Sequence, residues 1–199
     1  SAWRNQVTSN VWAGAEAYGR VFAIMYDISG QPGSTLVSTL TNDWNYLVNT
    51  MKVTSSPRYQ RHRGKPVVAI WGFGFTDRPG TPQEALTVIN QFKSAGFTVM
   101  GGVPTYWRTL NNDSQSDPAW ADVYRAFDII SPWAVGRYGD NAGAEMIYVA
   151  MFDEIDEGTA IFKVADHPPA SDRVRFVGND GVPSDHYLWL TGLGARMLR

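Results

Sequence analysis

Short apolar runs alternate along this chain with longer stretches of helical periodicity, and few folds accept that alternation. Residues 21–26, 66–71, 97–101 and 144–152 are apolar on both alternating faces and bounded by turn residues, as buried parallel strands are. Residues 127–132 read as a fifth, shorter strand. Between these runs the spacing predicts helices over 5–18, 34–51, 82–95 and 118–126. Thr81-Pro82-Gln83-Glu84 is a strong helix start, with a capping hydroxyl, Pro at the first helical position and an acid in the first turn, and Gly96 stops the helix. Strands that alternate with helices make a parallel sheet, either open or closed into a barrel.

Two features favour the barrel. Each strand end carries a different polar and aromatic group, as expected where several βα loops converge on one catalytic face. These ends read Tyr26-Asp27-Ile28-Ser29, Trp71-Gly72-Phe73-Gly74-Phe75, Gly102-Val103-Pro104-Thr105-Tyr106-Trp107 and Pro132-Trp133-Ala134-Val135-Gly136-Arg137-Tyr138, with Asp153-Glu154 after the last run. The fingerprints of an open nucleotide-binding sheet are missing: Gly72-Phe73-Gly74 is followed by Asp77 where a third glycine is needed, and no Gly-Lys-Ser/Thr loop occurs. The expectation is therefore an α/β fold of the (β/α)8 TIM-barrel type, forming a single domain over 1–199. The strands number fewer than eight, whereas a complete barrel takes about 250 residues. Only ten residues separate Trp133 from Ala144, and a parallel crossover with its helix needs about a dozen. The junction near 139–143 is the expected place of a missing segment.

Charge and composition exclude several partners. With 17 basic and 19 acidic residues, a net charge of -2 and only the scattered Arg58, Arg61, Arg63 and Lys65 as a basic region, there is no electrostatic footprint for nucleic acid. No stretch approaches the roughly eighteen apolar residues of a membrane span, and no charged-then-apolar leader opens the chain. The protein is expected to be soluble and secreted, with any signal peptide removed. Without cysteine, disulfides, thiol nucleophiles and zinc ribbons are ruled out. No cofactor is expected. Asn112-Asp113-Ser114 is a glycosylation sequon in a polar loop. Eight Trp within an aromatic content of 13% offer stacking faces for sugar rings or bulk for the core.

Chemistry concentrates in Asp153, Glu154, Asp156 and Glu157, four carboxyl groups in five positions directly after an apolar run. If the chain turns helically there, Glu154 and Glu157 share a face with Cβ atoms about 5–6 Å apart. Carboxyl groups that close split their pKa values, which supplies the protonated acid and the carboxylate that glycosidic cleavage needs. By spacing alone the same residues also suit a solvated acidic helix start or a calcium site without EF-hand spacing. Asp27 follows an apolar strand and precedes Ser29-Gly30, so it either faces sugar hydroxyls or bonds its own turn. Arg137 and Tyr138 are candidate ligand contacts, with Arg137 alternatively neutralising the acidic cluster. Trp71, Trp107 and Trp133 sit at or just beyond strand ends, as sugar platforms or as core. His62, His167 and His186 are scattered, and no Gly-x-Ser-x-Gly elbow occurs.

Several longer blocks carry a family resemblance. Tyr18-Gly19-Arg20-Val21-Phe22-Ala23-Ile24-Met25-Tyr26-Asp27-Ile28-Ser29-Gly30, Lys65-Pro66-Val67-Val68-Ala69-Ile70-Trp71-Gly72-Phe73-Gly74-Phe75, Gly101-Gly102-Val103-Pro104, Ser131 to Tyr138, Met151 to Ile161 and the tail Gly181 to Gly192 together resemble the glycoside hydrolase family 71/99-like proteins. These are often labelled xylosidase/arabinosidase and are related to the endo-α-mannosidases. The resemblance implies a (β/α)8 barrel whose last strand ends in Glu-x-x-Glu. In the endo-mannosidase branch that motif is Glu-Trp-His-Glu before Gly-Thr; here it is Glu154-Ile155-Asp156-Glu157 before Gly158-Thr159. It implies Glu157 as acid/base at the glycosidic oxygen and Glu154 as the base that deprotonates the sugar 2-hydroxyl in a retaining, epoxide-like route. Trp71, Trp107, Trp133, Asp27, Arg137, Tyr138 and Asp153 are the expected substrate contacts, and a polysaccharide or glycan the expected partner. Family members carry two further strands before the point where Ser1 stands and a long segment where this chain has Gly139-Asp140-Asn141. A non-catalytic, lectin-like protein on the same scaffold is the alternative.

Overall fold

The computed structural model describes residues 1–135, 148–154, 159–167, 172–173 and 181–197. The chain divides into two compact units, Ser1–Tyr138 and Gly139–Arg199.

In the first unit, β1 (Ile24–Asp27), β3 (Lys65–Trp71), β4 (Thr98–Val103) and β5 (Ile129–Pro132) form a parallel sheet in the order β1-β3-β4-β5, and the two-residue β2 (Arg61–His62) pairs antiparallel with the start of β3. Helices α1 (Ala2–Ala17), α2 (Gly33–Asn45), α3 (Pro82–Ser94) and α4 (Trp120–Ala126) alternate with these strands. Every crossover moves to the next strand in the same direction. Because such crossovers are right-handed, α2, α3 and α4 lie on one side, where α2 packs on α3 and α3 on α4. A doubly wound sheet instead reverses direction and carries helices on both faces. The class is α/β with a singly wound parallel sheet.

The pairing register divides the strands into two faces. Ile24, Val68 and Val99, then Tyr26, Ile70, Gly101 and Ile130, then Ile28 and Val103 point to the helix side by period-two alternation. They meet Leu36, Leu40 and Trp44 of α2, Ala85, Val88, Ile89 and Phe92 of α3, and Trp120, Val123 and Tyr124 of α4 in one core. Each large side chain so buried contributes about 1.5–3 kcal/mol. Trp44 is the hub, its ring 5.0 Å from Phe97, 5.8 Å from Phe92 and 6.4 Å from Tyr26. The opposite face carries Met25, Ala69, Met100 and Ile129, then Asp27, Trp71, Gly102 and Ser131.

The element boundaries have local causes. Residues 21–26 were expected as strand, but the regular ladder starts at Ile24, because Phe22 exchanges backbone bonds with the 58–60 segment instead: Phe22 N–H donates to Arg58 at 3.1 Å and Gln60 N–H to Phe22 at 2.7 Å. Buried Tyr59 locks this entry, its hydroxyl donating to the Val67 carbonyl at 2.8 Å and accepting from the Ile24 N–H at 3.2 Å. The helix expected over 34–51 is α-helical only to Asn45, then widens into the π turn Tyr46–Thr50, which keeps Leu47 in the core, and Lys52 in the left-handed region (φ 59°) follows it. α3 begins as expected. Thr81 accepts from the Glu84 N–H, and Glu84 accepts from the Thr81 N–H at 2.8 Å. Gly101 lets Phe127 close over β4, since a Cβ there would meet the ring at 2.5 Å.

In the second unit, α5 (His186–Met197) follows the turn Pro183 to Asp185. The strand expected over 144–152 falls partly outside the described residues. Its described part, from Tyr148 to Phe152, is not in a strand. There the chain folds back on itself: Met151 N–H donates to Thr159 at 3.2 Å, Ile161 N–H to Met151 at 3.0 Å and Phe162 N–H to Phe152 at 3.1 Å. These local bonds occupy the groups a parallel neighbour would use. Among the described residues no helix is long and apolar enough to cross a membrane.

Candidate functional site

The carboxyl ends of the first unit's strands hold an aromatic cluster. Asp27, Trp71, Gly102 and Ser131 are successive register partners across the last rung of β1, β3, β4 and β5. Trp71 leans over Gly102, where an added Cβ would lie 2.3 Å from the indole. Its ring stands edge-on to Trp133 at 5.6 Å and lies 4.8 Å from Phe75, while the Arg78 guanidinium sits 5.3 Å from its centroid, a cation–π distance. Gly72, at φ 121°, turns the chain immediately after Trp71 in a conformation closed to other residues.

Neighbouring loops are fastened to hold this arrangement. Asp113 accepts from the N–H groups of Thr105 at 3.0 Å and Tyr106 at 3.2 Å, and its carbonyl takes the Thr76 N–H at 3.1 Å. Gln115 donates to the Gly74 and Phe75 carbonyls and accepts from the Trp120 indole at 3.0 Å. The Thr105 hydroxyl donates to the Trp133 carbonyl. The loops after β3, β4 and β5 are thereby joined. In the sequon, Asn112 is exposed at φ 50°, whereas Ser114 is buried with its hydroxyl 3.2 Å from that of Tyr124. Burial pushes the Tyr124 phenol above its ordinary pKa.

Of the strand-end residues singled out from sequence, the structure brings Trp71 and Trp133 together. Trp107 is elsewhere, edge-on to Tyr124 at 6.0 Å, with Arg108 4.7 Å over its ring, and it packs against the helix-side core. Asp27 is exposed and bonds its own turn, accepting from the Ser29 N–H at 2.8 Å and hydroxyl at 2.5 Å. Phe75 and Arg78 were not singled out. Their signal was position alone, on the same loop as Trp71. Among the described residues two donors at the cluster have no acceptor: the indole N–H of Trp71 and the Nε–H of Arg78 are both buried and unbonded.

In the second unit Glu154 is half-buried, and Thr159 closes the loop over it. The Thr159 N–H donates to the Glu154 carbonyl at 3.2 Å and its hydroxyl reaches a Glu154 carboxylate oxygen at 3.4 Å. Burial, and then the Glu154 charge, raise the pKa of Tyr148. Asp153 is exposed. Glu157, Arg137 and Tyr138 lie outside the described residues. Among the described residues no group of three or more His, Asp or Glu side chains is arranged to hold a metal ion.

Fold and cluster together define an α/β protein with a singly wound parallel sheet and an aromatic, donor-bearing strand-end surface. No family model matches the chain and no curated protein matches it. Among solved structures it is similar to the GH99 endo-alpha-mannosidase from Bacteroides thetaiotaomicron, with 15% identity and a TM-score of 0.51, covering 98% of this chain and 71% of that one. At that identity the likeness bears on the fold, which is GH99-like.

Proposed function

We propose that this chain is a carbohydrate-active protein of the closed (β/α)8 type, a glycoside hydrolase acting on an α-linked or pentose-containing polysaccharide or glycan outside the cell. The observation that carries the reading is the Trp71–Trp133 pair at the carboxyl ends of β3 and β5, the end at which barrel enzymes place their ligands. Aromatic faces bind the apolar sides of sugar rings, and edge-on pairs make a corner that fixes a ring's orientation. The sheet topology supports the same reading, since a singly wound arc extended by further strands closes on itself. Among the described residues of the first unit, α2, α3 and α4 cover one face, and in this reading the other face becomes the interior.

In this reading Glu157 donates a proton to the leaving oxygen and takes one from the incoming water, and Glu154 is the base toward the sugar 2-hydroxyl. Thr159, bonded to the Glu154 carboxylate and carbonyl, orients that base. Asp153, Asp27, Arg137 and Tyr138 are the further proposed contacts, while Trp107 belongs to the core. The test is a screen of aryl glycosides and defined glycans followed by single variants. Glu157→Gln should lower kcat by about 10²–10⁴-fold on the best substrate, and unchanged hydrolysis by that variant would exclude the assignment.

A lectin on the same scaffold is the second reading, favoured by one observation: the aromatic corner and its unbonded donors are complete within the first unit. A glycan array run beside the activity screen separates the two, because a lectin retains a ligand that it never cleaves.

A further inference from the structure

We propose that the hairpin at the amino ends of the strands is a second carbohydrate surface, on which Lys52, Arg58, Arg61, Arg63 and Lys65 hold a polysaccharide that carries a carboxylate or sulfate on its sugars. It lies the length of β3, about 20 Å, from the aromatic cluster at the other end. The choice of a polysaccharide among polyanions rests on the carbohydrate reading above.

Three observations lead there. Residues 52–65 contain five of the chain's 17 basic side chains and no Asp or Glu, and the fold gathers them. Arg61 pairs with Pro66 and His62 with Lys65 across β2 and β3, with Arg63 and Gly64 as the turn between them. The Arg61 guanidinium donates to the Gly64 carbonyl at 3.3 Å and the Thr54 carbonyl at 3.0 Å, which joins the hairpin to the short turn that Lys52 starts. Second, all five cations are exposed, and no ion pair among the described residues includes any of them. Two acids stand within electrostatic range, and both are engaged elsewhere. Glu16, near Arg58, accepts from Trp12 and Ser56, and Asp128, near Lys65, pairs with Lys93 at 2.9 Å. Third, two of the cations sit where the backbone disfavours them. Lys52 has φ 59° and Arg63 φ 51°, in the left-handed region that Gly and Asn fill at least cost. Positive φ at both Arg63 and Gly64 is the pattern of a two-residue type I′ turn, whose preferred sequence is Asn-Gly. A long cation at each position gives up stability for surface charge, the relation expected of a functional position.

The surface suits a charged sugar chain better than other polyanions. Tyr59, the one Trp, Tyr or Phe of residues 52–65, is buried, which leaves no ring for base stacking. The same residues expose no large apolar side chain to enter a lipid surface. The chain as a whole carries a charge of -2, which opposes a duplex with one charge per about 1.7 Å of axis more than a polysaccharide with one charge on each sugar.

The experiment measures binding of the whole chain by titration calorimetry at low and at high salt. The probes are polygalacturonate, its neutral methyl ester, dextran sulfate, double-stranded DNA and phosphatidylserine vesicles. The expected result is binding to polygalacturonate or dextran sulfate that is about tenfold or more tighter than to the neutral ester and is lost at high salt; the tighter of the two identifies the charged group. The double variant Lys52→Asn/Arg63→Asn should bind about tenfold more weakly yet melt at or above the temperature of the parent. Lys65→Gln, which leaves both turns untouched, should weaken binding about threefold, and Arg125→Gln, which removes an exposed cation on α4, should not weaken it. Unchanged binding by the double variant or by Lys65→Gln overturns the proposal, and a double variant that melts well below the parent overturns the strain on which it rests. Equal binding of the neutral ester, equal weakening by Arg125→Gln, or tighter binding to DNA or vesicles also overturns it. None of these residues lies at the strand-end cluster, so each such outcome leaves the glycosidase and array screens to decide the carbohydrate reading there.

Discussion

Gly102→Ala tests whether the sheet really delivers Trp71 to the strand-end surface. An ideal Cβ at position 102 falls 2.3 Å from one indole carbon of Trp71, 2.9 Å from a second and 3.0 Å from its Cβ. Contacts that short force the ring to rotate or the strands to part. Overpacking of this kind costs about 1–3 kcal/mol, and replacing glycine in a strand returns about 0.5–1 kcal/mol of backbone entropy, so the net loss should be about 1–2 kcal/mol. For a chain of this size that lowers Tm by roughly 2–8 °C. Gly101→Ala is the matched control: its Cβ would strike Phe127 at 2.5 Å on the helix face, with a similar cost. Both variants are measured by thermal unfolding and by the ¹⁵N–¹H spectrum of the indoles. Only Gly102→Ala should displace the Trp71 resonance and weaken sugar binding. If Gly102→Ala melts with the parent protein and leaves Trp71 in place, the register that puts Trp71 over Gly102 is wrong.

Four further outcomes are expected. Tyr59→Phe removes a buried hydroxyl that serves both Val67 and Ile24 and should cost about 1–3 kcal/mol in urea unfolding; no loss would mean that the β1 entry is held otherwise. Burial pushes the Tyr59 phenol up to about 12, so its contribution is full below the unfolded value of about 10 and is lost as pH rises toward 12; the parent should lose stability across that window more steeply than Tyr59→Phe. Partial burial pushes the Asp128 carboxyl up, but the Val99 N–H at 2.9 Å and Lys93 at 2.9 Å outweigh it and hold the pKa below the usual range. Asp128→Asn should therefore cost about 1 kcal/mol near neutral pH, a difference that vanishes as pH falls through the folded pKa of Asp128, and a gap persisting in acid would contradict this. Thr81→Ala removes the hydroxyl that accepts from the Glu84 N–H and keeps the backbone donor to the Glu84 carboxylate; it should destabilise by about 0.5–2 kcal/mol, measured by urea unfolding followed by circular dichroism, and unchanged stability would mean that the cap does not hold the α3 start.

Local patterns decided much of the secondary structure of this protein. The Thr81–Glu84 start, the apolar runs of β3, β4 and β5 and the helical spacing of α1 and α3 depend on neighbours a few residues away, and each element lies within a few residues of its expected bounds. The start of β1 was less legible because it depends on Arg58 and Gln60, distant in sequence, and the π turn after Asn45 because it depends on how Leu47 reaches the core. At the candidate site the strand-end position of Trp71 and Trp133 was readable, since a residue's place on its own strand is a local property. Their meeting was not, because it depends on which strands are neighbours and in what register, and on two glycines that leave room on opposite faces of β4. Whether Trp107 is platform or core was equally undecidable until α4 placed Tyr124 beside it. Arg78 became visible only in three dimensions: a sequence shows that an arginine follows a turn, but its place over the Trp71 ring depends on how the loop after β3 folds back.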